Sequence, residues 1–598
     1  MRAQVNYLYF GAYLAILLLF YMSNIFTKEL FGSSPIFFSL YAFGQILIEI
    51  ALWIVLAWLF QKLFGKTGFF FLIGASFFAL CLHFFDYLMD RILDLSVWEA
   101  LNVFVLQENW ENFSRLLDAS GISLFSWAIF FIVVATLPLV GNAIYFFTNK
   151  IAQKRPLIVK SEHFFQLFLS VPLALFLWEA FCSKTIHPDA YTAFRKSLPW
   201  KSTFLQPEKT LFALKSPLQP LLESLAKEEI GQDVIVLAKK PNIFLFIVES
   251  LREDVICPEI APYLSAFKKG ALHFKEARSG GNATHPSWFS IFHAQIAYHW
   301  QRVAKTWKMG SPPLTLLKKW GYKIHLYSSA DLSYYGMDQV LFGAEHQLLD
   351  TEQIFHFSPP LSAADGDWEM IHQLQRDLAE KPNLDEGQLF IVFLDSTHFP
   401  YYWARSWTPK WTPFANEFDF LKTIQSKKQV LSIKNRYYNA VHYIDHLLGK
   451  LIPKCGEEAI IVFTGDHGEE FFEHGHLFHN SHLTKEQIHV PLYLKLGKSA
   501  APQEKIDGII SHIDIFPLIS DYLRSRPILL KRKQAITARY NAGLTPYEFC
   551  IDDGKHKCIA QFSNGEDIYQ SKELKIISFR TSDDKLALFE DFHSLFSE

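Results

Sequence analysis

Residues 464–479, TGDHGEEFFEHGHLFH, place Asp466, His467, Glu469, Glu470, Glu473, His474, His476 and His479 within fourteen positions. Carboxylates and imidazoles at that density suit a divalent cation, and a mixed oxygen and nitrogen donor set favours zinc or manganese over magnesium or calcium. A lone histidine reads as a surface residue, but Asp466 and His467 come directly after an apolar run, at the mouth of a buried strand. A second chemical candidate is Thr284 in GGNATHPSWFS (280–290), whose hydroxyl is a weak nucleophile unless a base or a cation activates it.

The elements that must position these groups are short apolar runs ending in polar or acidic residues: NIFLFIVES (242–250), YKIHLYSSA (322–330), LFIVFLDS (389–396) and AIIVFTGD (459–466). Each has the length and composition of a strand buried on both faces. Between them, NRYYNAVHYIDHLLGKLI (435–452) repeats Tyr437, Val441, Ile444 and Leu448 at helical spacing. Alternating strands and helices predict a parallel α/β sheet covered on both faces, whose sites lie beyond the carboxyl ends of the strands. Glu249, Asp395 and Asp466 all fall at such ends. Residues 557–592 show β-rich runs separated by turns and predict a small C-terminal subdomain at 531–598, after an α/β domain at 239–530.

The first 182 residues differ in texture. Apolar stretches at about 6–26, 36–60, 68–88, 123–147 and 163–182 are each long enough to span a hydrocarbon core, so five transmembrane helices are expected, the first of them retained rather than cleaved. Loops 61–67 and 148–162 carry Lys62, Lys66, Lys150, Lys154, Arg155 and Lys160, whereas 27–35 and 89–122 are neutral or acidic, which predicts a cytoplasmic N-terminus and everything after 182 outside. Residues 92–117 read as an amphipathic helix, either along the outer membrane surface or packed on the bundle. His83 and Asp86, near the outer end of the third stretch, are expected at the interface, and 183–238 as a linker across the outer membrane surface. A net charge of −3 without a Lys/Arg run argues against a nucleic-acid partner. None of the six cysteines forms a CxxC pair, and Cys550 and Cys558 are expected as free thiols, a disulfide being the alternative in an exported region.

Over most of 239–530 these motifs resemble membrane-anchored members of the alkaline-phosphatase and sulfatase superfamily. NIFLFIVES is similar to the first strand, with Glu249 at the metal-binding acid as in lipoteichoic acid synthases and phosphoethanolamine transferases. DHGEEFFEHGHLFH resembles the Asp-His-Gly element with Asp466, His467, Glu473, Gly475 and His479, and DSTHFPY the motif contributing a substrate histidine, here His398. HVPLYL (489–494) resembles the strand after the Asp-His-Gly element. Thr284 stands where sulfatases carry the Cys or Ser matured to formylglycine, and Trp288 where their signature has arginine, so a conventional sulfatase mechanism is not expected.

The resemblance implies a five-helix transmembrane bundle joined to an α/β sulfatase-like domain with a small C-terminal β-rich subdomain. Zinc or manganese would sit on Glu249, Thr284, Asp466 and His467, with Thr284 as nucleophile and His398 and His479 on the substrate. It implies a phosphotransferase or hydrolase at the outer face of the inner membrane, acting on phospholipid or glycolipid. The alternatives are a sulfuric ester hydrolase or a non-catalytic regulator binding lipopolysaccharide or cardiolipin, which GGNATHPSWFS and the linker HPDAYTAFRKSLP also resemble.

Overall fold

The structure is a computed structural model, and it describes residues 2–27, 34–93, 96–97, 124–183, 186, 194, 197–205, 211–213, 237–357, 361–380, 386–415, 427–497, 506–528, 534–540, 546–554, 557–562 and 573–579. The chain divides into two units, Met1–Thr210 and Leu211–Glu598.

In the first unit, four helices among the described residues are long and apolar enough to cross a membrane: α1 (Tyr7–Thr27), α2 (Ser34–Leu93), α3 (Leu124–Ala152) and α4 (Ser161–Cys182). Where five separate spans were expected, the stretches 36–60 and 68–88 share α2. That element leaves helical geometry at Gly65, with φ 66° and ψ −149°. Glu49 and His83 within it touch at 3.0 Å, whereas an unbroken helix would separate residues 34 apart by about 50 Å. The chain therefore reverses at Gly65, and two legs of α2 lie side by side.

His83 is not the simple interfacial residue expected. Its Nε2 lies 3.0 and 3.1 Å from the two Glu49 carboxylate oxygens and its Nδ1 2.5 Å from the Tyr21 hydroxyl, while Tyr13 donates to Glu49 at 2.8 Å. Asp86 pairs with Lys201 and accepts from the Val97 N–H at 3.0 Å. Ionisable groups survive among apolar helices because each meets the other's hydrogen-bonding demand. Strand β1 (Arg2–Val5) pairs antiparallel with β2 (Leu157–Lys160), so the N-terminus lies beside the loop between α3 and α4. The amphipathic helix expected at 92–117 and most of the 183–238 linker lie outside the described residues.

In the second unit, β3 (Leu211–Ala213) precedes β4 (Ile243–Val248), β5 (Leu272–Arg278), β6 (Lys323–Ser328), β7 (Thr351–Ile354), β8 (Gln388–Leu394), β9 (Ile460–Gly465), the two-residue β10 (Glu470–Phe471) and β11 (Leu477–Phe478), β12 (Leu492–Leu496) and β13 (Ile506–Ser511). Helices α5 (Thr284–His293), α6 (Ala363–Glu380) and α7 (Lys427–Leu451) matter most to the site. An eight-stranded sheet runs in the order β13-β5-β12-β9-β4-β8-β6-β7. The four apolar runs read from the sequence become its neighbouring strands β9, β4, β8 and β6, paired in parallel, and the residues of β4, β8 and β9 are buried throughout. Each fully buried Ile, Leu, Val or Phe side chain contributes roughly 1.5–3 kcal/mol.

The sheet is not wholly parallel, which corrects the expectation. β12 runs antiparallel to both β9 and β5. The chain leaves the carboxyl end of β9, makes an excursion over 466–491 and re-enters the sheet from that same end, so its next strand must run back. On α7, Tyr437, Val441, Ile444 and Leu448 are all buried, as their spacing requires.

The C-terminal strands β14 (Ala535–Tyr540), β15 (Pro546–Asp552), β16 (Lys557–Phe562) and β17 (Glu573–Phe579) form an antiparallel five-stranded sheet that β3 completes at the β17 edge. Cys550 is a buried free thiol on β15.

Candidate metal centre and active site

Glu249 and Asp466 meet because β4 and β9 are parallel neighbours in a register that pairs Val248 with Gly465. Both carboxylates are buried, as is His467. Glu249 Oε1 lies 3.1 Å from His467 Nε2. Asp466 Oδ1 accepts from the backbone N–H groups of Ser250 at 3.0 Å and His467 at 2.7 Å, while its Oδ2 is buried with no hydrogen-bond partner among the described residues. That oxygen is 3.7 Å from His467 Nε2. Thr284, in the first turn of α5, donates from its hydroxyl to Glu249 Oε2 at 3.2 Å and lies 3.5 Å from His467 Nε2.

A buried carboxylate oxygen without a donor is a costly arrangement that a cation relieves. Glu249, His467 and His479 each offer a ligand atom, all within 4.8 Å of one another. The donor set therefore fits a divalent metal ion, with nitrogen and oxygen ligands in reach of one point. All four residues expected to bind metal converge here. His479, expected on the substrate, comes close enough to join the ligand group.

His398 and His479 flank this centre, their rings 5.7 Å apart, and the His479 ring is 4.3 Å from that of His467. His398 Nδ1 is 2.7 Å from the Phe399 carbonyl, a contact that leaves Nε2 uninvolved. His479 Nδ1 is 3.2 Å from Glu469 Oε2. His476 instead packs its ring against His482 at 5.1 Å, so of the two histidines weighed by spacing it is His479 that reaches the centre.

The charges are strongly interdependent. Burial opposes a charged Glu249, yet the positive charge of His467 and its hydrogen bond hold the carboxyl well below the usual range. Burial, reinforced by Glu249, lifts Asp466 well above it. Burial also opposes a charged His467, but Asp466 and Glu249 raise its pKa to about 10. For His398 the charges of Glu249 and Asp395 outweigh burial and raise the pKa, whereas burial and the nearby His467 charge lower that of His479. Asp395 is pushed up to about 8 by burial, with Glu249 and Asp367 adding to the effect.

Two glycines allow the backbone to come this close. A Cβ on Gly280 would lie 2.0 Å from Ser290 Oγ, so the loop leading to Thr284 can press onto α5 only without a side chain. A Cβ on Gly468 would lie 2.0 Å from the Glu486 carbonyl, which is the physical reason for glycine after Asp466 and His467.

Several supporting residues escaped the sequence reading. Arg252, buried just past β4, bonds Asp254, the Glu469 carbonyl and Glu473. Glu473 also takes Lys434 at 2.7 Å and the Phe471 N–H at 2.5 Å, so it braces the loop rather than touching the centre. Tyr437 of α7 donates to the Ser250 carbonyl at 2.8 Å and accepts from the Arg252 N–H at 3.2 Å, holding the turn after Glu249, where Ser250 has φ 54°. The C-terminal sheet also reaches the site: the Ala538 N–H donates to the Gly280 carbonyl at 2.9 Å, the Asn282 N–H to the Ala538 carbonyl at 3.3 Å, and Tyr540 packs on His285, the neighbour of Thr284. Only the apolar periodicity of α7 offered a signal for Tyr437. Arg252 and the Ala538 backbone gave none, because Arg252 meets Glu473 and Ala538 meets Gly280 across more than 200 positions of sequence.

Residues 241–525 match the family model described as Sulfatase, so the chain carries a sulfatase-family domain over that stretch. Among curated proteins, it is 32% identical over 104 residues to arylsulfatase K of Gallus gallus, covering 17% of this chain and 19% of that one. It is 25% identical over 144 residues to arylsulfatase K of Canis lupus familiaris, covering 21% and 26%. It is 23% identical over 335 residues to an uncharacterised Haemophilus influenzae protein, covering 55% and 48%. The chain thus spans half or less of the length of these relatives. Among solved structures it is similar to the lipoteichoic acid synthase LtaP of Listeria monocytogenes, with 16% identity, a TM-score of 0.44 and coverage of 62% of this chain and 96% of that one.

Proposed function

We propose that the protein is a membrane-anchored, divalent-metal-dependent phosphotransferase or phosphoester hydrolase that acts on phospholipid headgroups or envelope glycolipids, with Thr284 as nucleophile. The observation that carries this reading is the Thr284 hydroxyl, 3.2 Å from Glu249 Oε2 and 3.5 Å from His467 Nε2, at the strand ends where buried Asp466 Oδ2 has no donor among the described residues. Glu249, Asp466, His467 and the Thr284 oxygen would hold the ion, which when bound supplies positive charge that lowers the pKa of the hydroxyl and offsets charge on the phosphate.

The chain's own residues carry the rest. Thr284 Oγ forms a bond to phosphorus as the bond from phosphorus to the leaving oxygen breaks, Glu249 takes the threonine proton, and His398 donates a proton to the departing alcohol. His479 hydrogen-bonds a non-bridging oxygen. An acceptor hydroxyl or water then gives its proton to His398 as its oxygen displaces Thr284 from phosphorus, and the threonine hydroxyl is restored with the proton held by Glu249. Four long apolar helices support a substrate that resides in the bilayer.

The Sulfatase match and the arylsulfatase K relatives favour one further reading, hydrolysis of a sulfuric ester. Threonine cannot mature to the formylglycine aldehyde, and Trp288 occupies the arginine position of the sulfatase signature, so that reading requires a different nucleophilic step.

The test is mass spectrometry of the full-length protein, loaded with zinc or manganese and incubated with phosphatidylethanolamine, phosphatidylglycerol and cardiolipin, beside Thr284→Ala. A phosphorylated adduct on the Thr284 peptide, absent from the variant, is expected, and its mass identifies the transferred group. Bound metal without an adduct from any lipid overturns phosphotransfer from these lipids and leaves ester hydrolysis of another substrate. Failure to bind metal at all leaves the lipid-binding regulatory role.

A further inference from the structure

Asp367, on α6, touches none of the residues of the metal centre, yet its carboxylate gathers four hydrogen bonds at the carboxyl end of the sheet. Oδ1 accepts from the Ser329 hydroxyl at 2.5 Å and from the Asp395 N–H at 3.0 Å, and Oδ2 accepts from the Ser396 N–H at 2.9 Å and from the Ser396 hydroxyl. The residue is completely buried. A buried carboxylate is stable only when its lone pairs are met, and here both oxygens are met twice.

The donors matter more than their number. Ser329 stands just past β6, and Asp395 and Ser396 just past β8, so one side chain ties the ends of two adjacent strands together. Ser329 closes the knot from the other side, its hydroxyl oxygen accepting from the Asp395 N–H at 3.0 Å and its own N–H donating to the Phe393 carbonyl at 3.2 Å. The chain leaving this knot makes a tight turn in which the His398 N–H donates to the Asp395 carbonyl at 3.0 Å. Thr397, inside that turn, donates from its hydroxyl to the Glu249 carbonyl at 2.5 Å. The segment that Asp367 grips by its backbone is therefore the one that aims His398 and braces the Glu249 main chain.

We infer that Asp367 is a positioning residue for the reaction, setting the Asp395–His398 turn so that the His398 imidazole faces the phosphate at Thr284. This rests on the phosphotransfer reading above. It acts through His398 and touches no substrate. Replacement by Asn keeps the shape but puts an NH₂ group where two donors already point, so the turn loses its anchor, while Asp466 and His467, just past β9, keep their own hydrogen bonds.

The experiment is a double-mutant cycle on the full-length, metal-loaded protein, following the rate of adduct formation at Thr284 with the lipid that labels the wild type. Asp367→Asn is expected to lower the maximal rate at least tenfold with little change in half-saturating lipid concentration and with bound metal unchanged. In a His398→Ala background the same substitution is expected to add less than twofold, because residues acting through one another are not additive. Wild-type rates in Asp367→Asn, or a full additional loss in the His398→Ala background, overturn the inference. If Asp367→Asn does not fold, Ser396→Ala removes one of the four donors and is expected to lower the rate in the same non-additive way; additivity there is equally fatal. No adduct in the wild type overturns the phosphotransfer reading, and this inference falls with it.

Discussion

At the scale of single residues, the site depends on close approach and on charge balance, and each has a measurable consequence. Gly280→Ala forces a methyl group to within 2.0 Å of Ser290 Oγ. Overpacking of this kind costs about 1–3 kcal/mol, so the thermal midpoint of Leu211–Glu598 is expected to fall and Thr284 labelling to slow. An unchanged midpoint would show that the loop does not press on α5. Glu473 has its pKa lowered from 4.5 to about 2, because the charge of Arg252 and the bond from Lys434 outweigh burial. The folded pKa lies below the unfolded one, so its contribution is complete above about pH 4.5 and is lost as the pH falls through about 2. Glu473→Gln is expected to lower stability at pH 7 and to flatten the decline of the midpoint between pH 4.5 and 2. Parallel acid profiles for the two proteins would remove Glu473 from that role.

At the scale of elements, the apolar character of β4, β8 and β9 made their identity legible, since strands buried on both faces must be apolar along their length, whereas β6 carries the exposed Lys323 and the half-buried His325. The reversal at Gly65 was legible, because it falls in the loop 61–67 that separates the apolar stretches 36–60 and 68–88. β14 was hidden as a wall of the site, because it bonds through its backbone and any residue carries those groups. Ala538→Pro removes the N–H that donates to Gly280. Faster hydrogen exchange is expected in a peptide covering 279–290 and not in one covering β6. Unaltered exchange at 279–290 would mean that the C-terminal sheet does not hold the nucleophile loop.

At the scale of the whole molecule, metal and stability are linked. His467, with a pKa of about 10 in the protein, binds metal only as the free imidazole, so uptake releases a proton. Affinity for zinc or manganese is therefore expected to rise with pH across the neutral range, as calorimetry in buffers of different ionisation enthalpy would show. A pH-independent affinity would exclude His467 from the ligand set. A ligand bound only by the folded state at 100 times its Kd adds about 2.7 kcal/mol. EDTA is accordingly expected to lower the unfolding midpoint of Leu211–Glu598 and to leave that of Met1–Thr210 unchanged, read by exchange mass spectrometry along a temperature series. Equal shifts in both units would sink this expectation.

The amino-acid sequence alone determined that Glu249, Asp466 and His467 stand at strand ends and that the N-terminal region is long and apolar enough to cross a membrane, because periodicity and composition are local properties. Tertiary structure alone decided that Glu49 faces His83, that β12 turns back against its neighbours, that Glu473 braces a loop, and that His479 joins Glu249 and His467. These outcomes depend on which distant segments lie side by side, and a hydrogen bond or ion pair between residues tens to hundreds of positions apart leaves no trace in the local pattern of either.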